Sequence, residues 1–257
     1  MPGKVDRARR DESDSRERPA RPGEIEHRVA ALEWTPIASA LDTAGYATIP
    51  AILDGAECAV LAAMYEQRER FRSRVVMERF RYGVGEYKYF AAPLPPIVAA
   101  LRAAIYARLA PIANRWAELM HTGVTYPAEL EQFLDECNRA RQTKPTPLML
   151  RYGASGYNCL HQDVYGAVAF PLQMTILLSR PGADFGGGEF LLVENRPRAQ
   201  SRGEAIALEQ GDAIIFPNSA RPVAGARGHY RVAVRHGVSR IRSGLRMSLG
   251  VIFHDAK

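Results

Sequence analysis

Two histidines and one aspartate in this sequence are of the types that hold a metal, and strand alternation puts two of them, His161 and Asp163, on one face. Residues two apart in an extended strand project from the same face, so Tyr157, Cys159, His161 and Asp163 form one row. By the same alternation Tyr230, Val232, Val234, His236 and Val238 share a face of the 230–238 segment. Two imidazoles and a carboxylate make a facial set that leaves coordination positions open on iron(II) for oxygen and an oxo-acid. His161, Asp163 and His236 are therefore the expected metal ligands and catalytic residues. His229 is the rival for the third position, but it sits at the Gly228 turn and, by parity, on the opposite face.

A fourth residue fits the same chemistry. In the last apolar segment Arg246 and Ser248 fall on one face, while Leu245, Met247, Leu249, Val251 and Phe253 take the other. The apolar face is expected to be covered, which leaves Arg246 pointing either to solvent or into a barrel. Only inside a barrel does it need an anion. A guanidinium fork matches a carboxylate bidentately, a neighbouring hydroxyl adds a hydrogen bond, and the distal carboxylate of 2-oxoglutarate is such a group.

The elements that must position these residues divide the chain by texture. Residues 1–28 mix both signs of charge with Pro and Gly and are almost free of apolar residues, which predicts a disordered tail. Thr35-Pro36 reads as an N-cap and first turn, with Gly45 stopping that helix. Asp54-Gly55 opens a second helix, expected through about residue 71. A third is predicted from 96 to about 120, with Ile97, Leu101, Ile105, Leu109 and Ile112 near helical period, and a fourth from 127 to about 140. From Pro147 onward the segments 148–152, 172–179, 189–193, 204–208, 213–216, 230–238 and 245–253 read as short strands separated by Gly, Pro or Asn. The pattern predicts an α+β chain: a β-sandwich or barrel core over 146–257, buttressed by a helical part over 29–145.

Taken in order, His161-x-Asp163, His236 and Arg246-x-Ser248 resemble the signature of the double-stranded β-helix (jelly-roll) oxygenases that use iron(II) and 2-oxoglutarate. Arg151-Tyr152-Gly153, Phe185-Gly-Gly-Gly-Glu-Phe190, Gly211-Asp212 and Gly244 resemble that superfamily as well. The stretches His161-Gln-Asp-Val-Tyr-Gly-Ala-Val-Ala-Phe-Pro-Leu-Gln173 and Arg235-His-Gly-Val-Ser-Arg-Ile-Arg-Ser-Gly244 are similar to a bacterial family of such enzymes, Oxygenase-NA, predicted to act on nucleic acids. The resemblance runs from about residue 30 to the C-terminus. It implies a dioxygenase with Fe(II), 2-oxoglutarate and O2 as co-substrate, acting in DNA repair by oxidative dealkylation or hydroxylation of damaged or modified DNA or RNA. It also makes Tyr152 either a hydrogen-bond partner of 2-oxoglutarate or a core tyrosine, and it adds Gln173 and Thr175, polar on one strand face, as cofactor-binding candidates. Residues 218–227 depart from it as an insertion relative to prolyl-hydroxylase-like members.

Composition narrows the partners. The net charge of +6 permits an acidic partner, and nearly every basic residue is arginine, the lysines being Lys4, Lys88, Lys144 and Lys257. Ten arginines between 196 and 246 face only Glu204, Glu209 and Asp212, which suits a phosphate backbone if they are exposed. The 79–90 segment interleaves basic and aromatic residues, with Tyr87, Lys88 and Tyr89 as substrate candidates; it reads equally as an ordinary strand with its tyrosines on the core. A hydroxylase of a protein side chain or small molecule is the alternative function. No apolar run reaches the ~20 residues of a membrane span, and three cysteines without a secretory signal point to the cytoplasm.

Overall fold

The computed structural model describes residues 22–257. Its helices are α1 (Pro22–Ala30), α2 (Trp34–Thr43), α3 (Gly55–Met64), α4 (Pro96–Leu119) and α5 (Leu130–Arg139). In chain order the strands are β1 (Ala47–Ile49), β2 (Phe71–Val76), β3 (Gly83–Val84), β4 (Glu86–Phe90), β5 (Leu148–Tyr152), β6 (Tyr157–His161), β7 (Leu172–Leu177) and β8 (Phe185–Gly187). They continue as β9 (Phe190–Asn195), β10 (Arg202–Ile206), β11 (Ala213–Pro217), β12 (Ala220–Gly225), β13 (Gly228–Val238), β14 (Ile241–Gly244) and β15 (Arg246–Ile252).

The strands form a jelly-roll core. A major sheet runs β1-β11-β7-β15-β5-β4-β2 and a minor one β10-β9-β13-β6-β3, with β12 added to β13 and β14 paired to β8; every strand pairing within them is antiparallel. The alternation expected of β15 decides the layering. Met247, Leu249 and Val251 enter one apolar cluster with α4, whereas Arg246, Ser248, Gly250 and Ile252 line a cavity on the opposite face. On β11 Ala213 and Ile215 join the helix-side cluster and Ile214 and Phe216 a second one between the sheets. Both faces of the major sheet are thus covered, which explains why β11 and β15 are buried at every residue.

Helix α4 alone, among the described residues, is long and apolar enough to cross a membrane. It serves here as the core helix: most of it is buried, and the guanidinium of Arg102 donates to the carbonyls of Ile252 and Phe253 at 2.9 Å and to Asp255 at 2.7 Å. This pins α4 to the end of β15.

Several expectations need correction. The tail does not extend to residue 28: 1–21 lie outside the described residues, but 22–30 form α1, whose Ile25 and Val29 are buried and whose Arg28 grips Glu57 with both terminal nitrogens, at 2.8 and 3.1 Å. Two apolar side chains one turn apart dock a helix that carries Glu24, Glu26, His27 and Arg28 between and around them. Helix α2 starts at Trp34 behind Glu33, so Thr35 lies in the first turn and does not cap it. Helix α3 has the Asp54 and Glu57 capping box but stops at Met64. The next carbonyl, of Tyr65, is taken by Lys88 Nζ at 2.6 Å, and Phe71 is drawn into the sheet opposite Phe90. The 29–145 part is not purely helical, since β1 and β4 extend the major sheet against β11 and β5.

His254, just beyond β15, is buried with Nδ1 accepting from the Phe170 amide at 3.3 Å; Nε2 has no partner among the described residues. Burial, with Arg102 nearby, pushes its pKa down to about 4. Between that value and the ordinary ~6.5 of an unfolded imidazole the unfolded chain binds a proton that the folded one refuses. The stabilisation is complete above about pH 6.5 and declines as pH falls toward 4, by about 3 kcal/mol at most. Thermal melts between pH 7 and 4 should therefore show a falling midpoint, and a shallower fall in His254→Gln.

Candidate active site

The cavity between the sheets has a volume of about 350 Å³. His161 ends β6, Asp163 follows in the loop behind it, and His236 lies on β13 directly opposite His161 in register. Their donor atoms fall within 4.8 Å of one another. His236 Nε2 stands 3.2 Å from Asp163 Oδ2, and His161 Nε2 stands 3.5 Å from Oδ1. His229 is exposed on the hairpin turn and takes no part.

Hydrogen bonding sets the chemistry of this trio. His161 Nδ1 is 2.8 Å from the Cys159 carbonyl, an acceptor only, so Nδ1 carries the proton and the lone pair sits on Nε2. That lone pair faces a carboxylate, an arrangement that a proton or a metal cation between them relieves. Asp163 is buried, which by itself would raise its pKa. The hydrogen bond from His236, the two imidazoles and the Tyr165 hydroxyl, which donates to Oδ1 at 2.7 Å, hold it well below the carboxylate range instead. Burial, and then His161, push the His236 imidazole down toward its neutral, metal-binding form. Two imidazoles and an ionised carboxylate are a donor set that fits iron(II).

The expected row along β6 is broken. Opposite β13, His161 pairs His236 but Asn158 pairs Val238, so three steps on one strand match two on the other. This bulge puts Asn158, rather than Cys159, in phase with His161, and Asn158 Nδ2 donates to the Tyr152 hydroxyl at 3.2 Å. Cys159 still touches the cavity but is largely exposed. Gly237 permits the bulge: a Cβ there would lie 2.6 Å from the Asn158 carbonyl oxygen.

Deeper in, Arg246 is 1% exposed, and among the described residues its one hydrogen bond is from Nη1 to Ser248 Oγ at 3.3 Å; Nε has no partner. Burial pushes its pKa down. Such a cation costs several kcal/mol without a counter-charge, and its side chain opens on the cavity that holds the trio. Tyr152, paired with Arg246 across β5 and β15, and Gln173 and Thr175 of β7 also line it. Gln173 is buried, and its amide nitrogen has no partner among the described residues.

Of the substrate candidates, Tyr87 and Tyr89 line the cavity. Lys88 does not: the alternation of β4 sends it to the other face, where its ammonium stands 4.1 Å from the centre of the Tyr65 ring. Sequence reasoning missed Tyr165, which bridges Asp163 and the Tyr89 hydroxyl, the latter at 3.3 Å. It also missed Asn218, whose carbonyl accepts from the Asp163 amide at 3.3 Å while its side chain holds the Phe170 carbonyl at 2.6 Å. No residue spacing signals either contact. The supposed insertion after Asn218 is structural in part: buried Arg221 binds Glu194 at 2.5 Å and the Asp42 carbonyl at 2.8 Å, tying β12 to α2. Arg221 is thus removed from the arginines available to phosphate.

Comparison with known proteins adds three findings. Residues 85–256 match the model of the Oxygenase-NA family, described as an oxygenase catalysing oxidative methylation of damaged DNA. An uncharacterized protein of Mycobacterium tuberculosis strain H37Rv is 46% identical over 190 residues, 72% of this chain and 82% of its own. Two solved structures share the fold. A Pseudomonas putida prolyl-4-hydroxylase has a TM-score of 0.53 at 13% identity, covering 85% of this chain and 96% of that one. A Burkholderia pseudomallei oxidoreductase of the 2OG-Fe(II) oxygenase family has a TM-score of 0.51 at 18% identity, covering 88% and 94%.

The bulge makes a test of its own. Gly237→Ala should drive β6 away from β13 and destabilise the protein by about 1–3 kcal/mol in chemical denaturation. Val238→Ala, next to it but with no such clash, should leave metal binding intact while Gly237→Ala weakens it.

Proposed function

The chain belongs to the Oxygenase-NA family of iron(II)- and 2-oxoglutarate-dependent oxygenases, and from that membership we propose that it oxidises damaged or modified nucleic acid, with His161, Asp163 and His236 holding the iron and Arg246 the 2-oxoglutarate. The observation that carries the site assignment is a buried guanidinium, without a carboxylate partner among the described residues, facing the same cavity as three converging metal donors. In this reading Arg246 forms the counter-ion pair with the distal carboxylate of the oxo-acid, and Ser248 adds a hydroxyl beside it. Tyr152 and the free amide of Gln173 are further donors along the same wall.

When bound, iron and 2-oxoglutarate supply the oxidising chemistry, in which O2 and the oxo-acid give succinate, carbon dioxide and one oxygen atom for the substrate. The protein's own part is positional. Tyr165 keeps the Asp163 carboxylate ionised and oriented, and the Cys159 carbonyl fixes the tautomer of His161. Tyr87 and Tyr89 wall the side of the cavity where substrate would lie. Oxygen inserted into a C–H bond of an N-alkyl group yields a carbinolamine that breaks down to an aldehyde and the free amine, so the direction supported is dealkylation.

Nucleic acid is favoured by charge. Of the ten arginines between 196 and 246, Arg196, Arg202 and Arg221 are held by Glu194 or Glu204, and Arg246 is internal. Arg198, Arg227, Arg231, Arg235, Arg240 and Arg242 are exposed without an ion pair among the described residues, three of them on the β12–β13 hairpin. The three free thiols suit a reducing, cytoplasmic setting.

Anaerobic iron titration followed by 2-oxoglutarate titration tests the site. His161→Ala, Asp163→Ala and His236→Ala should each lose iron binding and turnover, whereas Arg246→Ala should keep iron and bind 2-oxoglutarate about 10- to 100-fold more weakly. Retained turnover in His236→Ala with loss in His229→Ala would overturn the ligand assignment. Succinate release should rise with alkylated DNA or RNA; a rise with peptide pools alone would make the enzyme a protein hydroxylase.

A further inference from the structure

The mouth of the cavity carries an apolar surface that nothing in the mechanism uses. Phe80 is 55% exposed and Tyr82 49%, and their rings stack at 5.5 Å with 20° between planes. Leu160 and Val164 are exposed too, on the segment that carries His161 and Asp163. Four of the seven large hydrophobic residues exposed among the described residues thus belong to the 80–82 and 160–164 segments, which the hydrogen bond from the Cys159 amide to the Tyr82 carbonyl joins. Tyr82, Leu160 and Arg81 also line the cavity.

The pair is rigidly presented. Met77, fully buried, anchors the segment, and its carbonyl accepts from the Tyr82 amide at 3.1 Å. The Tyr82 carbonyl accepts from the Cys159 amide at 2.8 Å. Arg81 closes the turn in the left-handed region at φ 60°, and Gly83 is so close to β6 that a Cβ would meet the Tyr157 carbonyl oxygen at 2.2 Å. Holding two aromatic rings out in water by such a frame is unfavourable unless something covers them. Arg79 and Arg81 flank the rings in sequence, both exposed and without an ion pair among the described residues, against the single acid Glu78 of their turn.

Flat rings with free guanidinium groups beside them match alternating bases and phosphates. The candidate metal donors line the cavity, and a base held in a helix would have to leave its stack to enter it. We propose that Phe80 and Tyr82 form a stacking wedge that takes the place of, or packs against the neighbours of, a base turned into the cavity, with Arg81 on the adjoining phosphate. This rests on the nucleic-acid reading above and adds that the enzyme prefers single-stranded or opened strands to intact duplex.

The test is fluorescence anisotropy in low salt, using the full-length protein and a labelled single-stranded DNA of about 12 nucleotides, within the span of known single-strand sites. The same sequence as duplex, and a labelled peptide pool, complete the comparison. The wild type should bind the single strand more tightly than the duplex. Phe80→Ala and Tyr82→Ala should each weaken single-strand binding about 5- to 150-fold, the range of one lost base stack, while Phe80→Trp and Tyr82→Phe retain it. Arg81→Ala should flatten the slope of log affinity against log salt by about 0.7, one phosphate's share on a single strand. Both rings are exposed, so melting temperatures should match the wild type and separate lost binding from lost folding. Tight wild-type binding that is unchanged in Phe80→Ala and Tyr82→Ala overturns the wedge and leaves the nucleic-acid reading standing. No oligonucleotide binding by the wild type overturns both, and peptide binding that depends on Phe80 assigns the surface to a protein partner.

Discussion

Everything around the cavity depends on the period of two in β15. This strand lies in the middle of the major sheet between β5 and β7, and each of its faces has a separate task. Met247, Leu249 and Val251 join the apolar cluster under α4, while Arg246, Ser248, Gly250 and Ile252 look into the cavity. A slip of one residue would exchange the two sets, placing a guanidinium in the apolar cluster and a methionine on the cavity wall. The flanking pairings, Arg246 with Tyr152 and Ser248 with Leu177, hold the register from both sides.

The candidate metal donors follow the opposite logic, because their convergence needs a departure from regular pairing. His236 arrives by plain alternation along β13, but His161 reaches it only after β6 has taken on an extra residue opposite Gly237. The strand ends at that point, and the chain beyond it is held by Asn218 and by Gln162, whose side-chain amide donates to the carbonyls of Ser219 and Val234 at 2.7 and 2.8 Å. A rigid sheet and a braced loop thereby share one site: the sheet fixes two imidazoles, and the loop sets the carboxylate against them.

These differences explain what could be read from the sequence. Alternation on β13 and β15 is a local property, so His236, Arg246 and Ser248 could be assigned to faces without knowing the fold. The row from Tyr157 to Asp163 was expected to alternate too, and failed where the bulge intervenes, since a bulge is set by the partner strand. Lys88 sits between two cavity tyrosines, and its inclusion with them overlooked that the same alternation sends it to Tyr65. Arg221 shows the limit of counting charge, because a tally of arginines cannot say which of them Glu194 has already taken. Tyr165 and Asn218 act through contacts that only tertiary structure creates, and α1 was hidden in a charged segment because two buried side chains are too few to make a pattern.

The order of strands in the major sheet also has a consequence for how the protein is made. Its central strand, β15, is later in sequence than both of its neighbours, β5 and β7. During synthesis those two strands emerge first and cannot pair with each other in the native sheet, so each waits with an open edge of unsatisfied amides and carbonyls. The gap closes only when the segment carrying Arg246 leaves the ribosome and slides between them. A nascent chain stalled before that point would hold all three metal donors yet lack the strand that completes the chamber around them, and its open edges would be natural targets for chaperones.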